Sequence, residues 1–170
     1  MRKVLVLCQR KRSTTIPDDN VKIINGVVPK INALAKRLIG NNYTIEYLSD
    51  TPNKEDVDIQ GFLSSSTLDF LIRNQNSYAL IILNTCPLHL MDYNIIHHLL
   101  ERDGIMVFTS FPKPTLSRDP GKNPYEPPAS LFINESTEEF YKYRKRMVSG
   151  GGRSRTKPKN TRKYLRRRLN

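Results

Sequence analysis

Between Tyr78 and Phe111 an apolar run, a helical pattern and a second apolar run follow one another, and this leaves the chain few possible folds. The stretch reads YALIILNTCPLHLMDYNIIHHLLERDGIMVFTSF. Ala79–Leu83 is continuous, apolar and rich in Ile, the pattern of a strand buried on both faces. Pro87 ends it, because proline has no donor for a ladder and restricts Cys86 before it. Leu90, Ile95, Ile96, Leu99 and Leu100 recur at helical spacing. Asp103-Gly104 breaks that helix, and Ile105–Phe108 is the next strand. A strand, a helix and a strand in so short a span form a right-handed crossover with parallel strands. The class is therefore α/β.

The rest of the chain extends the same pattern. Lys3–Leu7 predicts a first buried strand, and the loop Cys8–Thr15 (CQRKRSTT) follows at its carboxyl end. Val21–Ile39 predicts a helix, with Asp18 to Asn20 as caps. Pro29 either kinks it or marks its true start. Tyr43–Leu48 alternates and predicts the second strand; Thr67–Asn74 predicts a short helix capped from Ser64–Ser66. The four strands are expected in the order 2-1-3-4, all parallel. A proline-rich strap spans 112–128, and Leu131–Ile133 offers one short strand. Ser136-Thr137-Glu138-Glu139 has the form of a helix start, so a short helix is expected over 136–148. The domain is then 1–135, and 149–170 is a Gly/Arg/Lys tail.

Charge is the next constraint. The chain has 28 Lys and Arg and 16 Asp and Glu. Thirteen of the cations, and no acid, lie from Lys142 onward, so Met1–Tyr141 is close to neutral (15 − 16 = −1). The excess sits in an arm with Arg153, Arg155, Lys157, Lys159, Arg162, Lys163, Arg166, Arg167 and Arg168. Broken by Gly and Pro, such a segment does not fold alone and binds polyanions in a salt-dependent way. Nucleic acid is the expected partner, with Tyr141, Tyr143 and Tyr164 available to stack on bases. The apolar run Val4–Cys8 is too short for a signal sequence or a span, and no stretch approaches 18 apolar residues. The expectation is an intracellular protein, in cytoplasm or nucleus, without a membrane partner. Cys8 and Cys86 are accordingly expected as reduced thiols.

Arg10, Lys11 and Arg12 crowd the loop after the first strand, where open α/β sheets bind ligands. They make a candidate anion site and would lower the Cys8 pKa. Low-molecular-weight tyrosine phosphatases place Arg six residues after such a Cys; here that position is Thr14, so the register fails. Sugar-transport phosphocarriers have Cys followed five residues later by Ser-Thr, as Cys8 and Ser13-Thr14 are, but with small residues between. His97 and His98 are adjacent and point apart on a helix, His89 has no partner at zinc spacing, and no metal is expected.

The succession of strands and helices resembles a Rossmann-like sheet of three layers. Asn84 to Pro87, then Leu99-Leu100 to Gly104 and Ile105–Phe108, are similar to the later part of class I S-adenosylmethionine-dependent methyltransferases. That resemblance implies S-adenosylmethionine as cofactor, with Cys8, Asp50 and Asn84 (Glu46 as the alternative acid) around it. The family's glycine-rich first loop is CQRKRSTT here, and side chains there obstruct a cofactor's approach. The tail GGGRSRTKPKNTRKYLRRR resembles in style the carboxyl termini of nucleocytoplasmic large DNA virus proteins. Together these predict no cofactor and a non-catalytic protein bound to nucleic acid, in a virion or with host proteins, on a methyltransferase-like scaffold. The alternative is a divergent methyltransferase or a nucleotide-binding enzyme.

Overall fold

Strand-forming runs in this chain are short, and the β-branched and Leu-rich runs at its centre, 4–7, 78–84 and 105–109, bury both faces. The computed structural model describes residues 1–11, 18–51, 54–63, 68–84, 86, 92–109, 126–137 and 140–147. Its elements are β1 (Arg2–Leu7), α1 (Asp18–Ile39), β2 (Tyr43–Ser49), a 3-10 turn (Lys54–Asp56), β3 (Ile59–Gln60), α2 (Leu68–Arg73), β4 (Tyr78–Asn84), α3 (Tyr93–Leu99), β5 (Leu100–Thr109), β6 (Phe132–Asn134) and β7 (Tyr141–Lys145). Seven strands form one mixed sheet in the order β3-β2-β1-β4-β5-β7-β6. The pairs β3/β2, β2/β1, β1/β4 and β4/β5 are parallel, and β7 runs antiparallel to both β5 and β6. The four main strands are neighbours in the expected order, but the sheet is mixed rather than parallel throughout.

Period-two alternation divides the core in two. Leu5, Leu7, Ile81, Leu83, Met106 and Phe108 point to the face that α2 and α3 cover with Phe70, Leu71, Ile96 and Leu99. Val4, Val6, Leu80, Ile82, Ile105 and Val107 point to the face under Ile31, Leu34 and Ala35 of α1. Each fully buried Leu, Ile or Val contributes about 1.5–3 kcal/mol. That burial outweighs the about 3 kcal/mol that Pro29 costs inside α1, which is a single helix from Asp18, so Asp18 to Asn20 lie in its first turn rather than before it. Tyr78 breaks the alternation. It joins the same cluster as Ile81 and Leu83, because the register slips at Ala79 against both neighbours.

The joint between α3 and β5 differs from expectation. Strand geometry begins at Leu100, immediately after the helix, and Glu101–Gly104 bulge out before Ile105 resumes the ladder with Leu80. Asp103 takes a φ of 62° to make the turn. Lys145 closes the bulge from β7: its Nζ donates to the Leu100 carbonyl at 2.6 Å and to Asn76 Oδ1 at 2.8 Å. Burial holds that ammonium below its ordinary pKa of 10.5.

Among the described residues of 136–148 the expected helix is replaced by a strand: 141–145 is β7, and the sheet extends past residue 135. Tyr141 and Tyr143 face the core while Lys142 and Arg144 face outward, a period of two that suits a strand. The two tyrosines are therefore core residues and not free to stack on bases. Arg144 and Lys142 both pair with Glu135, at 2.6 and 2.9 Å. The Arg144 hydrogen bond is the main reason that carboxyl is held below its ordinary value of 4.5. Expected features within 12–17, 64–67, 87–91, 110–125 and 148–170 lie outside the described residues.

Two glycines make opposite predictions. A Cβ on Gly104 would lie 3.0 Å from the Glu101 carbonyl oxygen and 3.1 Å from Leu100 Cβ, whereas a Cβ on Gly26, in α1, meets nothing within 4 Å. Gly104→Ala should cost about 1–3 kcal/mol by overpacking. Gly26→Ala should gain about 0.5–1 kcal/mol by stiffening the unfolded chain and favouring helix. Urea unfolding of both variants checks the pair; a neutral Gly104→Ala would disprove the tight bulge.

Candidate functional site

The order β3-β2-β1-β4-β5 reverses direction between β1 and β4, and the carboxyl ends of those two strands define a crevice position. Three strands end there in buried polar side chains: Gln9 after β1, Asn84 closing β4 and Thr109 closing β5, exposed by 8%, 6% and 4%. A strand end cannot leave such groups dry and unpaired. Asn84 Nδ2 donates to Gln9 Oε1 at 2.7 Å, Thr109 Oγ1 donates to Asn84 Oδ1 at 3.2 Å, and Gln9 Nε2 donates to the Arg10 carbonyl at 2.8 Å. Asn84 and Thr109 are also partners in the β4/β5 register.

Beside this chain, Cys8 and Cys86 are joined in a disulfide, with Cα atoms 5.3 Å apart. This corrects the expectation of reduced thiols: no Cys8 thiol remains to be activated. The physical reason is the strand pairing itself. β1 and β4 are adjacent and parallel, so residues just past their carboxyl ends come within disulfide reach.

The loop after β1 is tied on its other side to the β2–β3 connection. Cys8 N donates to the Leu48 carbonyl at 2.9 Å, and Lys11 N donates to the Asp56 carbonyl at 2.9 Å. Lys11 Nζ sits 2.6 Å from Asp58 Oδ1, whose other oxygen accepts from Tyr47 N at 2.9 Å. Burial, helped by the Asp58 charge, pushes the Tyr47 hydroxyl up to about 12. Of the expected basic triplet, then, Lys11 is spent on an internal ion pair, Arg10 makes no ion pair with a described residue, and Arg12 lies outside them.

Asp50 is exposed, one residue past β2. Thr51 beside it is fully buried, its Oγ1 without a hydrogen-bond partner among the described residues while its carbonyl accepts from Gln60. Glu46, the alternative acid, has partners within the fold. It pairs with Lys3 at 3.0 Å and accepts from the Tyr78 hydroxyl at 2.5 Å, and burial, with that bond, raises the Tyr78 pKa. Glu46 and Asp58 both border an open cleft of about 480 Å³ beside Phe70 and Arg73, so its two carboxylates are already engaged.

His97 Nε2 lies 3.1 Å from the Arg146 carbonyl, which can only accept, so that nitrogen carries the proton. Its ring meets Phe132 edge-on at 5.7 Å, a packing role. Among the described residues no group of three His, Cys, Asp or Glu side chains could hold a metal ion, and no helix is long and apolar enough to cross a membrane.

The crevice thus brings together Cys8 and Asn84 of the expected residues, and adds Gln9, Thr109 and Cys86. Gln9 and Thr109 are each a polar residue at the end of an apolar run, the signal by which sequence identifies them. Hydrogen bonding and sulfur exchange are the chemistry this set offers; its amides and hydroxyl do not titrate near neutrality. In comparison with known proteins, no family model, no curated protein and no solved structure matches the chain.

Asn84 is the centre of the network, so Asn84→Ala strands both Gln9 Oε1 and Thr109 Oγ1. The expected loss is about 1–3 kcal/mol, larger than for Thr109→Val, which removes a single donor. Chemical denaturation measures both; equal losses would mean the three groups do not act as one chain.

Proposed function

We propose that this is a nucleic-acid-associated, non-catalytic protein, built on a Rossmann-like three-layer body related in style to methyltransferases. The observation that carries the reading is the division of charge. Four of the cations from Lys142 onward belong to β7 and its end: Lys142, Arg144, Lys145 and Arg146. Lys142 and Arg144 pair with Glu135, Lys145 is buried, and Arg146 Nε donates to the Ala129 carbonyl. Residues 1–147 then carry 19 − 16 = +3, and 148–170 carry nine cations and no acid. A polyanion is the ligand such a segment suits, and its resemblance to viral carboxyl termini keeps a virion role within the proposal. The Cys8–Cys86 bridge, standing where the glycine-rich loop of a methyltransferase would admit its cofactor, supports a scaffold role for the body.

Deleting 150–170 should leave the fold intact and remove most affinity for nucleic acid. For the full chain, log affinity should fall with log salt at a slope of several units, with little preference for sequence. Fluorescence anisotropy with a labelled duplex and a labelled single strand, at several salt concentrations, checks this. Undiminished binding by the truncated chain, or indifference to salt, would refute the reading.

A second reading, a divergent methyltransferase or nucleotide-binding enzyme, is favoured by the strand order, which has a switch point between β1 and β4. It predicts that S-adenosylmethionine or a nucleotide raises the melting temperature, since a ligand of the native state must stabilise it. The first reading predicts no shift.

A further inference from the structure

We propose that Cys8 and Cys86 form a reversible thiol–disulfide exchange site, whose co-substrate is a dithiol, and that its state controls access to the Gln9–Asn84–Thr109 network. The proposal stands apart from polyanion binding: it involves no residue of the basic segment.

Geometry carries it first. The bridge is not needed to bring β1 and β4 together, since they already pair from Lys3↔Tyr78 to Leu7↔Leu83. The bridged Cα atoms are 5.3 Å apart just past the ends of two paired strands, so a reduced loop that opens can return to disulfide reach and close again. The pair is also unequal. Cys8 is half-buried while Cys86 is 5% exposed, so an incoming thiolate meets Cys8 and Cys86 is the leaving sulfur.

Backbone strain supplies the link to access. Cys8 has a φ of 61°, a left-handed conformation that a residue with a Cβ keeps only when its surroundings impose it. Two restraints act on it: its N–H bonded to the Leu48 carbonyl, and its sulfur bonded to Cys86. Reduction removes the second. The backbone of Cys8–Arg10 can then relax, and Gln9 goes with it, away from Asn84.

The chemistry balances. A thiolate of the dithiol attacks Cys8 Sγ, forming a mixed disulfide and expelling the Cys86 thiolate, which takes up a proton. The second thiol of the reagent loses its proton, attacks its own sulfur in that mixed disulfide and expels the Cys8 thiolate, which takes up the second proton. Two electrons and two protons pass to the protein, and the reagent leaves as its disulfide. Oxidised glutathione reverses the change: the Cys8 thiolate displaces one glutathione thiolate, and the Cys86 thiolate displaces the second.

The test uses the full chain with dithiothreitol, then oxidised glutathione, at neutral pH. Thiols are counted by maleimide mass shift, folding by circular dichroism, and local opening by amide hydrogen exchange. Both thiols should appear together while the dichroism spectrum is unchanged, and oxidised glutathione should restore the bridge. Exchange at Gln9, Arg10 and Asn84 should rise by roughly tenfold or more in the reduced form, with Val4–Val6 and Ile81–Ile82 unmoved. Cys86→Ser should match the reduced form. Resistance to reduction short of unfolding, reduction without local opening, or failure of Cys86→Ser to fold would each make the bridge a structural staple and overturn the proposal.

Discussion

Every other element answers to the burial of β4. All seven of its residues are buried, so none of its backbone amides and carbonyls can turn to water. They must pair on both sides, and β1 and β5 are the strands that do so. Two apolar faces must then be covered, which fixes α1 on one and α2 with α3 on the other. The same demand reaches the end of the strand. Asn84 is still inside, so its amide needs partners, and Gln9 and Thr109 provide them from the flanking strands. The crevice network is thus a continuation of the core's hydrogen-bond requirement beyond the last ladder rung.

Much of the body was legible because burial leaves a pattern. Ala79–Leu83 and Ile105–Phe108 could only be inner strands, and parallel pairing with a short crossover followed from their spacing. The carboxyl-terminal strand was not legible by the same route. Ser136-Thr137-Glu138-Glu139 carries a helix-start signal, yet Tyr141-Lys142-Tyr143-Arg144-Lys145 alternates, and packing of two tyrosines against the sheet outweighed the local capping preference. The joint at Leu100 was hidden for a different reason. A helix running into Asp103-Gly104 and a helix stopping at Leu99 with a bulge have the same residues; Lys145, distant in sequence, decides between them.

The candidate site was half legible. Cys8 and Asn84 stand at strand ends, where position alone marks them. The bridge is legible by the same reasoning, since the expected neighbour order places Cys8 and Cys86 at adjacent strand ends, whereas composition alone points to reduced thiols. Lys11 shows the limit of counting charge along a chain. Its partner Asp58 lies 47 residues away and is brought to it by the β1/β2 pairing. Net charge survives such folding, but availability of each cation does not, and β7 makes the same point with its three basic residues.

The placement of β7 bears on how the sheet is assembled. β6 precedes β7 in the chain, yet its ladder partner is β7, which also occupies the flank of β5. During synthesis from the amino end, the five parallel strands can associate as soon as β5 emerges, because each partner has already been made. β6 then appears before its ladder partner, and the flank of β5 stays open until Tyr141–Lys145 arrives. Completion of the sheet consequently waits for β7, through which β6 joins the ladder. A ribosome-bound chain paused before β7 would hold a formed centre with one flank of β5 bare.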